Sequence, residues 1–146
     1  MSSNSRLTVA IHALTWLAGD RAGTPNAAGT SPQIADSVNT NPVVIRRLLG
    51  DLRKGGLVSS HAGRRGGWQL ARPADRITLA DVRRALGPDD LFALHASEPS
   101  PTCWVATGIP PVLERAYAAV EDAVHRELAR TTLADVLTDT RAGARG

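Results

Sequence analysis

At 146 residues, 42% hydrophobic and only 3% aromatic, the chain suits one domain whose core is built from Leu, Val, Ile and Ala, a composition that favours helices. The net charge of +3 and the pI near 10 rest on arginine, which supplies all but one of the seventeen basic residues. A single cysteine, Cys103, excludes an internal disulfide framework and a four-thiolate metal site within one chain, and no apolar run reaches the ~18 residues of a membrane span.

The N-terminal MSSNSR lacks the charged-then-apolar layout of a signal peptide, so a cytoplasmic location is expected. Residues 5–18 (SRLTVAIHALTWLA) predict a helix, with Leu7, Ala10, Ile11, Leu14, Leu17 and Ala18 at the 3.6-residue period. A second stripe of Val9, Ala13 and Trp16 makes this helix apolar on more than one side, as in a core or an interface. The stretch GDRAGTPNAAGT reads as a loop. In TSPQIADSVN, Thr30 or Ser31 can cap a short helix, Pro32 suits its first turn, Ile34, Ala35 and Val38 face inward, and Asn39 stops it.

The next helix opens in the same way, with Asn41 as N-cap and Pro42 in the first turn. Val44 or Ile45, Leu48, Leu49 and Leu52 make its buried side. Arg46, Arg47, Arg53 and Lys54 occupy the remainder, and Gly55 and Gly56 end it. A short helix, a tight turn and a longer cationic helix form a helix-turn-helix, whose second helix, 42–54, enters a DNA major groove at its N-terminal end.

Two short strand-like stretches follow, 57–61 and 68–71, joined through HAGRRGGWQL. Glycine loses more backbone freedom on ordering than any other residue, so Gly63, Gly66 and Gly67 mark a place where the chain must reverse sharply. Arg64 and Arg65 between them supply cations to a flexible tip. A hairpin of this kind directly after a recognition helix describes a winged helix, with the wing at 62–67 against the minor groove or the phosphate backbone. The charge distribution agrees. Residues 42–76 carry eight basic residues against Asp51 and Asp75, a local balance of +6, whereas the rest of the chain balances at −3. Arginine has the planar fork that suits phosphates and guanine edges.

In RPADRITLADVRRALG, Thr78 caps a helix and Asp81 completes a capping box. Residues 88–109 show no sustained period and read as an irregular loop. Pro110 and Pro111 open a long helix in which Val112 or Leu113, Ala116, Tyr117, Val120, Ala123 or Val124, and Leu128 form a near-heptad stripe suited to a partner chain. TTLADVLTD forms a last short helix capped by Thr131 or Thr132, and RAGARG is a tail. The expected organisation is a mainly helical winged helix-turn-helix over 1–87, a sensor or linker loop over 88–109, and a dimerisation helix with a short C-terminal helix over 110–140.

Three stretches, SPQIADSVNTNPVVIRRLLGDLRKGGLVSS, GRRGGWQLARPADRITLADVRRAL and LERAYAAVEDAVHRELARTTLADVL, resemble the Rrf-two family of bacterial winged-helix regulators, to which IscR, NsrR and CymR belong. The most specific piece is GGWQLARPADRITLADV. The chain is most similar to the family's cysteine-poor YwnA-like branch. The resemblance implies a homodimer on an approximately palindromic operator, probing the major groove with 42–54 and the minor groove with the wing. It places Arg46 and Arg47 at base-reading positions, with Asn41 and Val43 at the groove-facing start of the helix. It implies a packing role for Trp68. Two departures stand out: Ala62 replaces an arginine before the first wing glycine, and Arg64 and Arg65 replace a Pro-Gly tip.

Cluster-binding relatives carry three cysteines before the long helix, where this chain has Cys103 alone, with His95 and Glu98 nearby. One thiol cannot hold a cluster, so no iron–sulfur cofactor and no metal are expected. Cys103 is either a packing residue or a sensor of oxidants, and the signal is either an oxidant or a small molecule. His12 and His125 read as helix surface or packing residues, and His61 lies at the wing base. The function expected is transcription regulation by DNA binding, as a repressor. The alternative is a winged helix that binds protein or small ligands but not DNA. No catalytic pair of carboxylates, Ser-His-Asp order or phosphate-cradling glycine loop stands in a supporting context, so no enzyme is expected.

Overall fold

The computed structural model describes residues 3–19, 24, 26–88 and 90–146; the loop reading for 20–23 and 25 lies outside them, as does Asp89. Six helices and one hairpin follow in order: α1 (Ser3–Ala18), α2 (Ser31–Val38), α3 (Pro42–Lys54), β1 (Val58–His61), β2 (Gly67–Leu70), a 3-10 turn (Ala74–Arg76), α4 (Leu79–Ala85), α5 (Trp104–Leu128) and α6 (Leu133–Gly143). The fold is a winged helix.

Helices α2, α3, α4 and α6 begin where side chains satisfy the orphan N–H groups of the first turn. Thr30 caps α2 and exchanges hydrogen bonds with Gln33, Asn41 caps α3, and Thr78 and Thr132 form capping boxes with Asp81 and Asp135. Asn39 closes α2 in the left-handed conformation at φ 62°, which an L-residue other than Asn or Asp rarely adopts. The core is aliphatic, as the composition requires. Leu14 and Leu17 of α1, Ile34 of α2, and Ile45, Leu49 and Leu52 of α3 are fully buried with Leu57, Ile77, Val82 and Leu133. Of the two candidates for the buried side of α3, Ile45 is enclosed and Val44 only half-buried.

The N-terminal ends of α4 and α6 lie side by side. Thr78 and Thr132 form a bridge, and the Leu133 N–H donates to the Ile77 carbonyl at 2.9 Å. Burial raises the pKa of Asp81, but hydrogen bonds from the Thr78 N–H and hydroxyl, with Arg72 and Arg84 nearby, outweigh it and hold the carboxyl below its ordinary value. Asp135 is lowered by the N–H and hydroxyl of Thr132. Lowered folded-state pKa values mean that the stability these groups contribute is complete above the ordinary carboxylate value of ~4 and is lost as pH falls through the lowered values. The thermal midpoint is therefore expected to be nearly flat from pH 8 to about 5 and to drop below about 4. Asp81→Asn with Asp135→Asn should flatten that acid limb in a thermal melt series; a limb unchanged in the double variant would show that other carboxylates set it.

The strands lie at Val58–His61 and Gly67–Leu70, within one residue of the sequence reading at each end, and three helix boundaries differ from it. Helix α1 begins at Ser3 rather than residue 5. Helix α5 begins at Trp104, so the irregular segment stops short of 109 and Pro110 and Pro111 lie inside the helix rather than at its start. Proline lacks an N–H, so the carbonyls of Ala106 and Thr107 lose their helical partners, yet the turn before them forms: the Thr107 N–H donates to the Cys103 carbonyl at 3.0 Å. Helix α6 runs on to Gly143, taking in residues read as tail.

Candidate nucleic-acid interface

Helix α3 and the hairpin are fastened to each other and to the body by contacts that leave cations of both elements exposed. Asn41 Oδ1 accepts from the Val43 N–H at 2.8 Å, so its carbonyl is committed to the cap. The Val43 side chain itself stands 46% exposed at the first turn of α3, an apolar group in a position where solvent contact is otherwise unfavourable. Arg46 and Arg47, one turn on, are exposed and make no hydrogen bond or ion pair within the described residues.

The cations at the far end of α3 have partners within the chain. Arg53 donates from Nη1 to Ser60 Oγ on β1 at 3.2 Å and lies 6.0 Å over the Trp68 ring, joining the helix to the wing. Lys54 pairs with Asp51 at 3.7 Å, while Arg6 of α1 bonds the same carboxylate at 2.5 Å and the Leu86 carbonyl at 2.8 Å. Arg6 thus neutralises Asp51, the one acid on α3, and ties α1 to the ends of α3 and α4.

The hairpin pairs antiparallel from Val58↔Leu70 to His61↔Gly67. Its tip is a β-turn closed by the Gly66 N–H on the Gly63 carbonyl at 3.0 Å, which puts Arg64 and Arg65 at the two central positions. Gly63 sits at φ 101°, and a Cβ on Gly66 would approach the His61 carbonyl oxygen to 2.3 Å, so both positions favour glycine. Arg64 and Arg65 are exposed and, like Arg46 and Arg47, have no partner within the described residues. His61 engages Ser59 at 3.3 Å.

A third edge, unread in the sequence, anchors the wing. Gly29 and Trp68 form a bridge, with Trp68 N–H donating to the Gly29 carbonyl at 2.7 Å and Gly29 N–H to the Trp68 carbonyl at 2.9 Å. Trp68 Nε1 donates to the buried Ser31 Oγ at 3.1 Å, and Asn26 Oδ1 accepts from the Leu70 N–H at 3.2 Å. Trp68 therefore packs the wing onto the body, in the role the resemblance implied. No local periodicity announces these contacts; only a glycine and an Asn in a loop hinted at them.

The segment before α5 is held at one end. Glu121 accepts from the Leu91 N–H at 2.7 Å and from Arg83 Nη2 at 2.8 Å, which together hold its pKa below the ordinary value. Phe92 stacks on Tyr117 with ring centroids 5.1 Å apart. Cys103 is exposed at the N-cap of α5, and its side chain makes no capping bond. His12 reaches Ser37 Oγ at 3.0 Å and His125 meets Arg84 at 3.3 Å, both on the surface. Among the described residues no helix is long and apolar enough to cross a membrane.

Residues 3–139 match the Rrf2 family, described as an iron-dependent transcriptional regulator. A Bacillus subtilis protein named as the HTH-type transcriptional regulator YwnA is 42% identical over 135 residues, spanning 92% of this chain and 96% of its own. A solved crystal structure described as a DNA-binding protein shares 35% identity at a TM-score of 0.72 and covers 90% of this chain and 98% of that one. The CymR structure of Bacillus subtilis, described as a global cysteine regulator, has the same fold at a TM-score of 0.64 and 24% identity, over 94% of this chain and 95% of its own. The iron of the family description does not fit the donor set here. Cys103 is the one thiol of the sequence, and among the described residues no three His, Cys, Asp or Glu side chains are placed to hold a metal ion. A helix-turn-helix with a cationic wing, in a chain that matches the family over residues 3–139 and is 42% identical to a relative named as a transcriptional regulator, gives the assignment: this protein belongs to the Rrf2 family of transcription regulators.

Proposed function

We propose that the protein is a cytoplasmic homodimeric repressor that binds an approximately palindromic operator through α3 and the wing. The observation that carries this reading is the pair of exposed arginines on α3, Arg46 and Arg47, and the pair at the wing tip, Arg64 and Arg65, none of which has a partner among the described residues. In a folded protein at neutral pH, guanidinium groups left unpaired on one surface are ready to displace counterions from phosphate. Val43 offers the apolar contact that suits a thymine methyl group, and Arg46 and Arg47 the fork that suits guanine. Arg53 and Lys54, engaged with Ser60, Trp68 and Asp51, contribute to the field more than to the reading of bases.

Dimerisation is supported by α5. Its 25 residues would extend about 37 Å, yet none of them is buried within the chain. Trp104 is 84% exposed, and Val105, Ile109, Val112 and Val120 stand out with it. A stripe of that kind is covered by a second copy. The organisation that follows is DNA binding over 1–87 and dimerisation through α5 and α6, with the segment from 88 to Cys103 carrying the signal.

The test is a fluorescence anisotropy titration on DNA from immediately upstream of the protein's own gene at two salt concentrations, with sedimentation to give the oligomeric state. Tight, salt-dependent binding by a dimer is the expected result. Salt-insensitive binding, or none above random DNA, would favour a protein- or ligand-binding winged helix instead. Oxidant sensing is tested in the same assay. Hydrogen peroxide oxidises the exposed Cys103 thiol to a sulfenic acid with release of water, and this is expected to weaken DNA binding. Cys103→Ser should abolish the response; if the response persists, Cys103 is not the sensor.

A further inference from the structure

The wing leaves the body of the protein at one cross-strand pair. Val58 and Leu70, paired on its inner face, are buried. Ser60 and Trp68 are the next pair on that face, and stand where it emerges from the core. Helix α3 meets both members with a single side chain: Arg53 donates from Nη1 to Ser60 Oγ at 3.2 Å and lies 6.0 Å over the Trp68 ring. One guanidinium therefore touches both strands of the hairpin. Ser60 puts a hydroxyl on the face that buries Val58, and Arg53 is the donor that this hydroxyl accepts from. Trp68 is tied in turn to Gly29 and to Ser31, the first residue of α2. Both helices of the helix-turn-helix thus hold the wing at the same pair, α2 through Trp68 and α3 through Arg53.

The place of Arg53 along α3 gives this contact a consequence for DNA binding. Arg53 follows Arg46 by two helical turns, so the two lie on one face of α3. The wing is fastened to the face that offers Arg46 to a base. The turn bearing Arg64 and Arg65 lies about 10 Å beyond the pair at the rise of a strand, so a hinge of about 10° would carry it about 2 Å, more than a hydrogen bond to phosphate tolerates. Buried Val58 and Leu70 and the Gly29 bridge fix the base of the wing. On the side that faces α3, Arg53 restrains its angle.

We propose that Arg53 is a positioning residue: held between Ser60 and Trp68, it sets the angle of the wing to α3 so that Arg64 and Arg65 meet phosphates while Arg46 reads a base. This role rests on the DNA-binding function proposed above.

The test is a set of anisotropy titrations over a salt series, with the full chain on DNA from immediately upstream of its own gene. Ser60→Ala removes the acceptor and no cation, and Ser60 is exposed, so the melting temperature should not change. Binding is expected to weaken about fivefold and the log–log salt slope to flatten by about 1, because displaced wing arginines release fewer counterions. The effect of Ser60→Ala should vanish in two backgrounds. One is Arg53→Ala, where the hydroxyl has lost its donor; the other is Arg64→Ala with Arg65→Ala, where the wing tip has no cation left to place. A salt slope unmoved by Ser60→Ala would overturn the proposal, since a merely structural serine predicts that result. An effect that persists in both backgrounds would overturn it too, by making Ser60 itself the phosphate contact. Losses from Arg53→Ala and Ser60→Ala that add would make Arg53 an independent contact and overturn its positioning role. Wild-type protein that binds no DNA overturns the proposed function and this role with it, whereas tight wild-type binding with additive losses overturns the role of Arg53 alone.

Discussion

Arg64→Ala with Arg65→Ala is expected to lower operator affinity roughly a thousandfold at ~0.1 M salt and to flatten the log–log salt slope by about 3 to 4, since a homodimer would lose four phosphate contacts at ~0.9 per charge. Both side chains lie at the exposed tip of a β-turn with no partner in the described chain, so the melting temperature should stay where it was. The loss should be the same on operator and on random DNA, because phosphate contacts position a protein without reading sequence. Arg46→Ala is expected to behave in the opposite way. It sits on the second turn of α3, where a guanidinium can reach a base edge, and its removal should cost about 1–3 kcal/mol on operator with little change on random DNA. Anisotropy titrations over a salt series separate the two outcomes. A salt slope unmoved by the double wing substitution would mean that the tip does not touch the backbone, and the replacement of a Pro-Gly tip by two arginines would then need another reason.

How much of this was open to sequence reading depends on the range of the interaction. The helix-turn-helix is written in adjacent residues: Thr30 and Asn41 cap with their own side chains, Pro32 and Pro42 follow them, and Asn39 takes the left-handed turn between. The wing tip is equally local, since Gly63 and Gly66 close a four-residue turn around the arginines. The start of α5 lies six residues before the proline pair that locally signals it, because tolerance of two missing hydrogen bonds in a helix interior leaves no mark in composition.

The supports of the site were harder to read because they join distant residues. Arg6 reaches Asp51 and Leu86 from the other end of the chain, and nothing in its neighbourhood distinguishes it from a solvated arginine. Arg53 reads as one more cation for DNA, and the fold shows that it also joins α3 to the wing. The chemistry of the interface was therefore visible as charge and glycine spacing, while the framework that aims it became visible only through the fold.

Gly67 shows what that framework demands. It lies at φ 141°, a conformation that L side chains rarely adopt, and a Cβ there would come within 2.6 Å of the Gly29 carbonyl oxygen. That oxygen is backbone and already accepts the Trp68 N–H, so it cannot move without breaking the bridge that anchors the wing. Gly67→Ala therefore combines backbone strain with overpacking and is expected to cost about 2–4 kcal/mol, lowering the melting temperature by about 6–15 °C. Two other glycines provide the scale. Gly63 is also left-handed at φ 101° but faces open space, so Gly63→Ala carries only the conformational cost of about 1–2 kcal/mol. Gly50 lies within α3 with nothing within 4 Å of a Cβ, and Gly50→Ala should stabilise by about 0.5–1 kcal/mol through helix propensity. Thermal melts should rank the three in that order. A Gly67→Ala protein as stable as Gly63→Ala would mean that the Gly29 bridge yields readily. The wing would then be held by the Trp68–Ser31, Asn26–Leu70 and Arg53–Ser60 bonds without that bridge, and contacts made by Arg64 and Arg65 would come from a more loosely hinged arm.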